Sequence, residues 1–86
     1  MKIEKKCWPE YFQKVVDGTK KFELRLADWE IAEGDTLVLK EWDPENKSYT
    51  GREISKVATC VVKTKGQKFW SEDDVVRHGF QVIGFK

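Results

Sequence analysis

Histidine and cysteine are scarce in this sequence, and their placement excludes most metal chemistry. The one histidine, His78, has no partner at ligand spacing, and Cys7 and Cys60 do not form a C-x-x-C pair. No metal and no cofactor is therefore expected. Thiols this far apart read as reduced and partly buried, with a single disulfide as the alternative. Long hydrophobic runs are also missing: none approaches the ~20 residues of a membrane span. The start, MKIEKKCW, is basic but has no apolar stretch behind it, so it does not read as a signal peptide. A cytoplasmic location without membrane contact is expected. Nor is there an excess of one charge: 16 Lys and Arg face 15 Asp and Glu, for a net +1. That balance argues against gripping duplex nucleic acid by bulk charge, and it leaves room for a local basic groove. No repeat, linker or low-complexity tract divides the 86 residues, so residues 1–86 read as one domain.

What is present suits a compact fold. Hydrophobic residues make up 40% and aromatics 13%, four of them tryptophan, which is too much apolar material for a disordered chain. A first strand is expected over 2–7. Pro9 suits the first turn of a helix. Tyr11, Phe12, Val15 and Val16 then form an apolar stripe at helical spacing, and Gly18 stops it. A half-buried strand follows over 21–26. A connector with a Gly34-Asp35 turn leads to an apolar strand over 36–42, closed by Asp43-Pro44. Residues 45–51 read as a loop. Residues 52–63 read as the longest strand, with a bulge near 56–58 because Ile54, Val57, Cys60 and Val62 keep no single parity. Ser71 and Asp74 suggest a capping box over a short helix at 73–78, stopped by Gly79, before a last strand at 80–85. The expected class is α+β: a small, partly open mixed β barrel of about five strands with two short helices.

The most informative stretch is DGTKKFELR, residues 17–25. Phe22, Leu24 and Leu26 point one way along its strand, and Lys21, Glu23 and Arg25 the other. A carboxylate and a guanidinium on one face offer an acceptor beside a donor fork. They can pair with each other or read the edge of a planar polar ligand. Lys20, at the turn–strand junction, can lean into the same cleft, and Gly18 leaves room for close approach to the backbone. The competing expectation is a solvated strand face whose charges neutralise each other. Trp8, ahead of the helix, and Tyr49, in the polar loop, are candidates to stack on a base; Trp29, Trp42 and Trp70 read as packing. Lys63, Lys65 and Lys68 form a basic loop that could join Lys20, Lys21, Arg25 and Arg52 in one positive rim. His78 falls at a helix C-terminus, where a cation is favourable for structural reasons alone.

Gly18, Lys20, Glu23 and Arg25 spell G-x-K-x-x-E-x-R, a string that resembles the signature of the ASCH domain family within the PUA-like superfamily of small β barrels. WPEYF, EGDTLVLKEWDP, YTGRE and GFQVIGF are similar, in the same order, to short stand-alone ASCH-like proteins of bacteria and phages. The likeness runs from Cys7 to Phe85. It implies a single ASCH/PUA-like domain with a cleft between the first helix and the barrel. There Gly18, Lys20, Lys21, Glu23, Arg25 and Arg52, with Trp8 and Tyr49, would bind single-stranded RNA or a modified nucleotide. One ASCH branch resembles an amidohydrolase that deacetylates acetylated cytidine with a lysine, a threonine and a glutamate. Lys20 occupies the lysine position and Glu23 stands at the threonine position, so these two are the catalytic candidates on that alternative. A third reading is a protein-interaction regulator encoded by a phage or mobile element.

Overall fold

The computed structural model describes residues 1–64, 71–77 and 79–86. Five strands form one mixed sheet in the order β1-β3-β4-β5-β2. They are β1 (Lys2–Cys7), β2 (Phe22–Leu26), β3 (Thr36–Asp43), β4 (Ser48–Lys63) and β5 (Phe80–Phe85). Only β1 and β3 run parallel; the other neighbours are antiparallel. The sheet curls so that its two outermost strands approach each other, and Nη2 of Arg25 on β2 donates to the Lys6 carbonyl of β1 at 2.6 Å. The result is a half-barrel, mostly β. The α+β description fits only roughly, because α1 (Pro9–Val16) has eight residues and α2 (Glu72–Val75) is a single turn. The turn at 72–75 is shorter than the expected helix over 73–78. His78, Lys65, Lys68 and Trp70 lie outside the described residues. Among the described residues no helix is long and apolar enough to cross a membrane.

Helix α1 begins and ends as its sequence requires. Pro9 opens it, and Gly18 closes it at φ +80°. The Gly18 N–H donates to the Val15 carbonyl and the Thr19 N–H to that of Lys14, the paired bonds of a Schellman cap. Its buried stripe is narrower than expected: Phe12 and Val15 are inside, Tyr11 and Val16 outside. The core gathers Phe12 and Val15 with Cys7, Ile31, Leu37, Leu39, Ala58, Ile83 and Phe85.

Strand β2 has the expected alternation with its faces reversed. Glu23 is buried, whereas Phe22, Leu24 and Leu26 are exposed. Pairing is the cause. Glu23 lies opposite Ile83, which lies opposite Val61, and Ile83 is fully buried. Residues directly opposite one another share a face, so Glu23 must point inward and Leu24, opposite Val82, outward.

Strand β4 corrects two expectations. It starts at Ser48, not Arg52, because Ser48 and Tyr49 pair with Asp43 and Trp42 in a hairpin. Asp43 organises that turn: its carboxylate accepts from the Glu45 and Asn46 N–H groups and from the Asn46 side chain, which holds its pKa below the ordinary aspartate value. Tyr49 is thus a strand residue. The bulge falls between Ala58 and Cys60, later than 56–58, where β4 turns from β3 to β5. The extra residue resets the parity, so Ala58 faces in and Cys60 faces out. Both cysteines are free; Cys7 is buried and Cys60 is exposed instead of partly buried.

Candidate binding cleft

The gap between the approaching edges of β1 and β2 is a cleft of about 690 Å³. The Schellman cap turns the chain out of α1 so that Lys20 stands at the mouth of β2. The Lys20 ammonium donates to the Phe22 carbonyl at 2.9 Å and to Oε1 of Glu23. Nε of Arg25 donates to Oε2 of Glu23 at 2.8 Å. Each carboxylate oxygen therefore has its own cation. Glu23 retains 4% side-chain exposure, against 16% for Lys20 and 26% for Arg25. The acid forms the nearly buried floor of the cleft, and its two partners reach further toward the opening. A carboxylate this deep is tolerated only when paired and hydrogen-bonded.

Aromatic side chains wall the cleft: Trp8 and Tyr11 at the start of α1, Phe22 on β2 and Trp42 on β3, with Leu24 beside them. Lys20 lies 5.1 Å from the Phe22 ring centre and 6.0 Å from that of Tyr11. At the base sits Cys7. Burial first, and the Glu23 carboxylate second, push its thiol up to about 11, against the pull of Lys20 and Arg25. At neutral pH it is a protonated thiol and not a nucleophile. The chemistry on offer is recognition: flat apolar walls above a floor with an acceptor between two donors.

Of the residues singled out from sequence, Lys20, Glu23, Arg25 and Trp8 meet in this cleft. Lys21 is exposed and contributes its carbonyl to the Phe85 N–H; its side chain is not among those lining the cleft. Gly18 also stands apart. Its positive φ serves the helix cap, and a side chain there would meet open space. Tyr49 and Arg52 belong to a second, smaller hollow of about 260 Å³ with Lys40, Gly51 and Glu53. Arg52 lies 4.9 Å from the Phe12 ring centre, 3.7 Å from the Glu41 carboxylate and 3.3 Å from Oε1 of Gln13. Lys63 bonds to Glu30 at 3.1 Å. Among the described residues no group of His, Cys, Asp and Glu could hold a metal.

Sequence reasoning missed Tyr11, Phe22, Leu24 and Trp42. Trp8 and Tyr11, three apart at a helix start, share a face and could have been paired on that ground. Trp42 carried no such signal, since its place depends on the curl of the sheet.

Against known proteins, the chain is 36% identical over 75 residues to the "Uncharacterized 12.9 kDa protein in GpA 3'region" of Escherichia phage P2. That alignment takes in 87% of this chain and spans 64% of the phage protein's length. The residues lining the cleft and the smaller hollow, and nearly all of the five strands, fall within a family match over residues 3–84, and by that match the chain belongs to the family described as Domain of unknown function (DUF3850).

Proposed function

We propose that the cleft binds a nucleotide, either within single-stranded RNA or as a modified nucleotide, in the cytoplasm. The observation that carries this reading is Glu23, buried between Lys20 and Arg25 beneath aromatic walls. A carboxylate accepts from the exocyclic amine or ring N–H of a base, and the flanking cations supply donors for a carbonyl or phosphate. Trp8, half exposed, and Tyr11 supply stacking surface, worth about 1–3 kcal/mol per base. The volume is of the order found for small-ligand sites, roughly 300–1,000 Å³, and too small for a duplex. The resemblance to ASCH domains belongs to this same reading.

Binding is preferred to hydrolysis on local chemistry. The Lys20 nitrogen is held by Glu23 and by the Phe22 carbonyl, so its hydrogen bonds are committed within the protein and not aimed at a scissile bond. Cys7 is neutral, and the threonine position of the hydrolase pattern holds the glutamate that engages the lysine.

The test is a titration with single-stranded RNA oligomers at low salt, followed by tryptophan fluorescence. Binding is expected to weaken with a shallow salt slope, because few phosphates are touched. Arg25→Ala is expected to reduce affinity at least about tenfold, one charge-assisted contact being worth ~1.5–3 kcal/mol. Urea unfolding of the same variant shows whether it remains folded. No binding at low salt, or equal binding by folded Arg25→Ala, sinks the reading.

A further inference from the structure

The two hollows share a wall. Trp42 and Tyr49 are direct partners across the β3–β4 hairpin, and their rings meet edge to face at 4.9 Å and 76°. Trp42 lines the cleft; Tyr49 lines the smaller hollow. Cations follow the same line. The Lys6 ammonium stands 3.8 Å from the Trp42 ring centre and 5.9 Å from that of Tyr49. The Lys40 ammonium lies 4.8 Å from Tyr49, and Arg52 completes the far side of the hollow. In a protein of net charge +1, four of the cations on this side, Lys6, Arg25, Lys40 and Arg52, thus border one continuous aromatic ridge. Lys40 is paired at 3.2 Å with Glu4, whose side chain is 61% exposed, so an incoming phosphate competes with a solvated carboxylate. Glu53 also lines the hollow and limits its pull on anions.

We infer that the hollow lined by Tyr49, Lys40 and Arg52 is a second subsite, so that the ligand is a single strand of at least two nucleotides laid across the Trp42–Tyr49 ridge. This rests on the nucleotide reading of the cleft and adds the ligand's length and path. One base occupies the cleft over Glu23, the backbone crosses at Lys6, and the next base lies against Tyr49 with its phosphate toward Lys40 and Arg52. Alternating rings and cations along a shallow track is how sequence-tolerant single-strand binders hold their ligand.

The experiment compares the four 5′-mononucleotides with homo-oligomers of two and four nucleotides of each base, for the native protein and for Tyr49→Ala and Lys40→Ala. Both residues lie outside the cleft. Affinity is expected to rise at least about tenfold from one nucleotide to the oligomers, in keeping with one added stacked base. Tyr49→Ala is expected to abolish that gain and leave mononucleotide affinity unchanged. Lys40→Ala is expected to lower the oligomer salt slope by about one phosphate contact without changing that of the mononucleotide. If mononucleotides bind and length adds nothing, or if the gain survives both substitutions, the second subsite is refuted while the cleft reading stands. If neither mononucleotides nor oligomers bind, both are refuted.

Discussion

Two carboxylates are buried among the described residues, Glu23 at 3% whole-residue exposure and Glu41 at 6%, and they are held in different ways. Glu23 has a cation on each oxygen, both from its own short stretch of chain. Glu41 accepts from the Thr50 hydroxyl at 2.6 Å, and its second oxygen faces the half-exposed Arg52 at 3.7 Å. The first acid lines the cleft; the second lines neither the cleft nor the hollow. One arrangement concentrates charge where a ligand can exchange for it. The other closes an irregular stretch of sheet with a bond from a neutral hydroxyl. Burial of an acid is thus no sign of function by itself; what separates the two is that both partners of Glu23 are cations lining the cleft, whereas Glu41 leans on a hydroxyl and a more distant guanidinium.

Identical substitutions sharpen the contrast. Glu23→Gln removes a charge from two short ionic bonds and is expected to cost about 2–3 kcal/mol, read from the urea midpoint at unchanged slope. Glu41→Gln keeps an acceptor for Thr50 and loses only a long pair with an exposed guanidinium, so about 1 kcal/mol is expected. Equal costs for the two would erase the distinction.

The smallest effect is on Cys7. Iodoacetamide at pH 8 is expected to label exposed Cys60 quickly and Cys7 slowly. In Glu23→Gln the carboxylate that raises the Cys7 value is gone while Lys20 and Arg25 remain, so its labelling should begin at lower pH. Because the folded value, about 11, lies above the ordinary thiol value of 9.0, this thiol favours folding below pH 9. The contribution fades as pH climbs toward 11, since the unfolded thiol ionises first. Equal labelling rates for the two thiols at pH 8 would mean that the base of the cleft is open to solvent.

The same contrast explains what could be read from sequence. Glu23 and Arg25 are two apart on a strand, and Lys20 is tied to them by one turn, so their meeting needed only local geometry. Helix α1 was legible because Pro9 and Gly18 mark its ends. Which face of β2 is buried was not legible. Phe22, Leu24 and Leu26 look like a core row, but the choice is made by Ile83, some sixty residues away, through strand pairing. The hold on Glu41 was hidden for a similar reason. Between the pairs Lys40–Glu53 and Trp42–Tyr49, β3 has one residue where β4 has Thr50, Gly51 and Arg52. Gly51 adopts φ +96° there, and the irregularity turns Thr50 and Arg52 onto the acid. No periodicity announces such a bulge, and it also moved Tyr49 from an expected loop onto the sheet. The polar loop after Lys63 falls largely outside the described residues, so its lysines neither join nor leave the rim.

The surplus residue between Ala58 and Cys60 has a consequence for how the last third of the chain can change. Upstream, inward positions of β4 are even-numbered; downstream, they are odd. The strand keeps two phases at once, and each is locked to a different neighbour. An insertion or loss of one residue at this joint would swap inner and outer walls for β4 from Val61 to Lys63, while the same change in the outer turn at 44–47 would leave both phases intact.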